Sequence, residues 1–171
     1  MQNNANPSVK IMPPDFSLRN KIGGSLDQVF TAQVVNAAEK VIEASTESLL
    51  REGMAQTDAL ERANNALQKD RSAKNTYLPV IIDASFSIKT KVASAGYDLA
   101  SALAKSLHIL CEYMKPRPLT ARDLEIIQWH VTSLRLLLRG GLKGNGGPTG
   151  SLILEQLQML APPGVVIAAA A

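Results

Sequence analysis

Residues 120–139 read TARDLEIIQWHVTSLRLLLR, and this stretch decides the fold class. Its apolar positions Leu124, Ile127, Val131, Leu134 and Leu138 are separated by 3, 4, 3 and 4 residues. That spacing lines them up along one side of an α-helix, the kind of seam that packs inside a helical bundle. Thr120 and Asp123 stand in capping-box register just ahead of the stripe, with Asp in place of Glu, so the helix is expected to open there. Gly140-Gly141 is expected to end it.

The same period runs outward in both directions. Leu99, Leu103, Leu107, Leu110 and Met114, separated by 4, 4, 3 and 4, predict a helix from Tyr97 to Met114, stopped by Pro116 and Pro118. Upstream, Ile81, Ala84, Ser85, Ile88, Val92 and Ala95 predict a helix from Leu78 to Ala95. Pro79 is expected in its first turn, where no intrahelical N–H bond is lost. Ala59, Leu60, Ala63, Ala66 and Leu67 predict a helix from Thr57 to Lys69. A first helix is expected from Ser25, where Ser25 and Gln28 have capping-box spacing. Gly53 permits a break between those two, a single long bent helix being the competing reading. Downstream, Gly140 to Gly150 reads as a flexible glycine-rich connector, because Lys143 is not followed by the Ser or Thr of a phosphate-binding loop. A short last helix is expected over Ser151 to Leu160. The expected fold is therefore all-α: an antiparallel up-and-down helical bundle over residues 25–160, with an irregular leader (1–24) and an apolar tail (161–171).

Composition narrows the function classes. The chain has 171 residues, 46% hydrophobic and 19% charged, which suits one folded domain and argues against disorder throughout. A net charge of +3 carried by scattered basic residues does not point to nucleic acid. No apolar run approaches the roughly 18 residues of a membrane span. The Asn- and Pro-rich start, Met1 to Pro14, lacks the apolar core of a signal peptide, so a cytoplasmic location is expected. A lone cysteine, Cys111, excludes an internal disulfide and a multi-cysteine zinc site. Only His108 and His130 are available for metal or acid–base work, and no paired carboxylates stand out. No metal, no cofactor and no enzymatic activity are expected. In the leader, Phe16 and Leu18 either tack the chain onto the body or form a docking motif.

Residues 84–96 read ASFSIKTKVASAG. They resemble the active helix of histidine phosphotransfer domains, four-helix modules that pass phosphoryl groups between histidine kinases and response regulators. That family's pattern is His, two residues, Lys, Gly, and a further Gly ten positions after the His. Lys89 matches the lysine, Ile88 the apolar residue before it, and Gly96 the later glycine. Two positions depart from it: Phe86 stands where the phosphoacceptor histidine belongs, and Thr90 replaces the glycine. The likeness extends over roughly residues 26–158, including the helix order and the Pro-interrupted turn. It implies a degenerate member that binds a response-regulator receiver domain or a histidine kinase without carrying phosphate, since phenylalanine has no nucleophilic atom. The implied partner-binding face is Ile82, Phe86, Lys89, Thr90 and Ala93, with burial of Phe86 in the core as the alternative. Lys89 and Lys91 are expected to form a basic edge. Two rival readings are an active phosphotransfer protein using His108 or His130, and a structural bundle that associates with itself through leader and tail.

Overall fold

The 3–4 spacings are realised as five helices, with no strand among the described residues. The structure is a computed structural model and describes residues 31–160. Helix α1 spans Ala32–Lys69, α2 Lys74–Ser94, α3 Asp98–Met114, α4 Ala121–Arg139 and α5 Gly147–Leu160. The leader, the tail and the expected cap at Ser25 and Gln28 lie outside the described residues. Two units divide the chain, Met1–Ile42 and Glu43–Ala171. The described part of the first is Thr31 and the start of α1 as far as Ile42, exposed at every residue. The second unit holds the core.

The described part of helix α1 begins at Ala32, where Thr31 Oγ1 accepts the N–H of Val34 at 3.4 Å as an N-cap. It runs through Gly53 without a break, which decides for the single long helix. Gly53 serves close packing instead: a Cβ there would lie 2.9 Å from Cγ1 of Val92 on α2. Pro79 sits in the second turn of α2, not the first, so the Asn75 carbonyl receives no i+4 donor from it. Asn75 is exposed, and water can serve that group.

The seams read from the sequence are the core. Leu99, Leu103, Leu107, Leu110 and Met114 of α3 are all buried, as are Leu124, Ile127, Val131, Leu134 and Leu138 of α4. Each fully buried Leu contributes about 2 kcal/mol of apolar transfer. Helices α1 and α4 run antiparallel, since their polar pairs descend in order. Asp58 meets Arg139, Glu61 meets Arg135, Asn64 meets Gln128, and Gln68 donates to the Leu124 carbonyl. The glycine-rich connector is hydrogen-bonded rather than free. Gly144 N–H donates to Gly96 O at 2.7 Å, Leu99 N–H donates to Gly144 O at 2.9 Å, and Gly144 itself needs its φ of 58°. The last helix starts at Gly147, four residues earlier than expected.

The expected cap of α4 forms in full. Thr120 Oγ1 accepts the Asp123 N–H, and the Asp123 carboxylate accepts from the Thr120 N–H. Arg117 adds a two-pronged pair to the same carboxylate at 2.7 and 2.8 Å. That guanidinium, helped by the Thr120 hydrogen bonds, holds the Asp123 carboxyl down at about 2. A depressed carboxyl stabilises the fold above its unfolded value of 3.8 and stops doing so as pH falls through about 2. Asp123→Asn is expected to lower stability by about 2 kcal/mol at neutral pH. Urea denaturation should show that difference shrinking below pH 3.8, where the unfolded carboxyl takes up its proton.

Candidate functional site

Phe86 projects from the middle of α2 with 50% of its surface exposed, so it is not a core residue. Its ring lies 5.7 Å, centroid to centroid, from the imidazole of His108 on α3, tilted by 48°. Lys89, three residues on, places Nζ 4.9 Å from the Phe86 centroid, a cation over an aromatic face. The edge is fixed from beneath. His108 Nδ1 is 3.3 Å from the Ile82 carbonyl, and Ser101 Oγ donates to the Lys89 carbonyl at 2.9 Å. Both contacts tie α3 to the same edge of α2.

The face expected from the sequence is assembled in part. Phe86, Thr90 and Ala93 are exposed and Lys89 is half-buried. Ile82 is corrected: at 5% exposure it turns into the α2–α3 seam and cannot meet a partner. Its helical position is that of Phe86 one turn earlier, but α3 covers that turn. The Thr90 hydroxyl is already used, donating to the Ser87 carbonyl at 2.9 Å. Lys91 leaves the edge altogether and pairs with Glu52 of α1 at 2.7 Å. Helix α3 carries a further lysine, Lys105, which the sequence reading passed over. It is exposed on α3 one turn before His108, and neither it nor Lys89 has a carboxylate partner among the described residues. Nothing in the local sequence of α3 marks His108 as a neighbour of Phe86, because the turn at Ala95–Tyr97 sets that register.

The other candidates have structural roles. His130 has no exposed surface; its Nδ1 lies 2.9 Å from the Ile126 carbonyl and its Nε2 3.2 Å from Ser106 Oγ. A carbonyl can only accept, so Nδ1 carries the proton and Nε2 accepts from the serine. Burial pushes this imidazole down to about 4, only partly offset by the Ile126 hydrogen bond. With both nitrogens engaged and enclosed, it is no phosphoacceptor. Burial likewise pushes the Cys111 thiol up, which leaves it protonated and inert. Among the described residues no group of three His, Cys, Asp or Glu side chains could hold a metal ion, and no helix is long and apolar enough to cross a membrane.

Comparison with protein-family models, with curated proteins and with solved structures returns no match for this chain. The reading of its function therefore rests on its own residues.

Proposed function

We propose that this chain is a docking bundle of the histidine phosphotransfer type, with a four-helix core and no phosphoacceptor, which binds a response-regulator receiver domain or a histidine kinase through the Phe86 edge. One observation carries the reading: the residue at the expected acceptor position is exposed, and its matching lysine stands over it. A half-exposed phenylalanine with Lys89 over its ring, and with Lys105 exposed on the neighbouring helix, suits a partner surface with an apolar hollow and an acidic rim. The mechanism is occupancy. The bundle covers the partner's phosphoryl-exchange surface while offering no nitrogen at the acceptor position, so signalling is modulated by binding alone.

The test is capture of purified receiver domains and kinase domains by the full chain, compared with Phe86→Asp. Burying an unpaired carboxylate in the apolar centre of an interface is expected to weaken capture at least about tenfold. The thermal midpoint should stay within a degree or two, since Phe86 is a surface residue (about ±0.5 kcal/mol). Equal capture by both proteins would remove the Phe86 edge as the docking face.

A further inference from the structure

Two surfaces lack a cover among the described residues, and they are complementary. The first is the start of α1. Every residue from Ala32 to Ser45 is exposed, including four branched apolar side chains: Val34 at 51%, Val35 at 39%, Val41 at 66% and Ile42 at 64%. They recur at an interval of seven, 34 with 41 and 35 with 42, and Ala38 stands between them. That is the interval at which helices pack side by side. Glu39 lies one turn from both Val35 and Ile42, at the border of the stripe, with Glu43 beyond it. Neither has an ion pair among the described residues.

The second surface is an open groove of about 350 Å³ between the later part of α1 and α2. Ala59, Ala63 and Ala66 form its floor, Tyr77 and Val80 its far wall, and Arg62 stands at its lip. Among the described residues, Arg62 is the one arginine of the five helices without a carboxylate partner, since Arg51, Arg122, Arg135 and Arg139 are all paired. Small residues along a groove let another helix approach closely, and a free guanidinium beside them calls for an acid on that helix.

We infer that the chain forms a two-fold dimer in which the Val34–Ile42 stripe of one copy fills the Ala59–Ala66 groove of the second, with Glu39 and Glu43 facing Arg62. Branched side chains meet alanines, and the unpaired acids meet the unpaired guanidinium. Each copy carries both halves of the contact, which a two-fold dimer would use twice. The dimer does not depend on the docking edge, which lies on the α3 side of α2.

Sedimentation velocity on the full chain over a concentration range tests this. A reversible dimer is expected. Val41→Glu with Ile42→Glu should leave only monomer at an unchanged thermal midpoint, both side chains being exposed. Arg62→Glu should weaken the dimer about tenfold, and adding Glu39→Lys and Glu43→Lys should restore it. Phe86→Asp should dimerise like the wild type. A wild-type chain monomeric at every concentration would overturn the inference. So would a dimer indifferent to Val41→Glu with Ile42→Glu, or charge reversal without rescue.

Discussion

Acidification from neutrality to a pH of about 4 is expected to cost the fold about 3 kcal/mol through one imidazole, that of His130. The unfolded chain takes up this proton near 6.5, whereas the folded chain resists until about 4, because burial disfavours the cation. Between those values the unfolded state binds more protons, so stability falls as pH falls, and above 6.5 the full contribution is present. The window lies above that of Asp123, whose contribution is lost only between 3.8 and about 2. Urea midpoints measured across both windows should therefore show two separable declines. His130→Asn keeps a neutral donor for the Ile126 carbonyl but has nothing to protonate. It is expected to start lower at neutral pH, by about 1 to 2 kcal/mol for the lost Ser106 contact and ring volume, and to show no slope in the upper window. A variant whose slope matches the wild type would mean that another group takes up the proton.

What the sequence makes legible here is periodicity, and what it hides is which surface covers which. The stripes of α3 and α4 are readable because two adjoining seams of leucine can only be satisfied by burial against other helices. Gly53 is ambiguous because a glycine that breaks a helix and one that admits a neighbour look alike; Val92, which decides between them, is 39 residues away in sequence. Ile82 and Phe86 share a helical sector by spacing, yet one is sealed by α3 and the other half-exposed, since the sector straddles the margin of the seam. The pairing of Phe86 with His108 depends on the turn between α2 and α3, not on either helix. The start of α1 gives the same limit in reverse. Its apolar pattern is that of a buried helix, but the covering surface is not among the described residues of its own chain.

On the proposed reading, a histidine at position 86 should convert the proposed docking edge into a phosphoryl acceptor, an all-or-none change. In Phe86→His the imidazole would stand half-exposed beside Lys89, whose Nζ lies 4.9 Å from the centre of the present ring. The ring nitrogen attacks the phosphorus of a receiver's aspartyl phosphate. The bond from phosphorus to the carboxyl oxygen breaks, the aspartate leaves as carboxylate, and the imidazole gives up its proton to solvent. Lys89 stabilises the charge on the phosphoryl oxygens during transfer. Thr90 adds bulk one turn away, so Phe86→His with Thr90→Gly should take up label faster than Phe86→His alone, at a cost of about 1 kcal/mol for glycine within α2. The expected readout with labelled phospho-receiver is none for the wild type and acid-labile, alkali-stable label for both variants. Label on the wild type that vanishes in His108→Gln would instead make His108 the acceptor and the chain an active transfer protein. If Phe86→His still captures receiver yet takes no label, the edge binds signalling proteins without descending from an exchange site. If it neither binds nor labels, the family likeness of residues 84–96 carries no function.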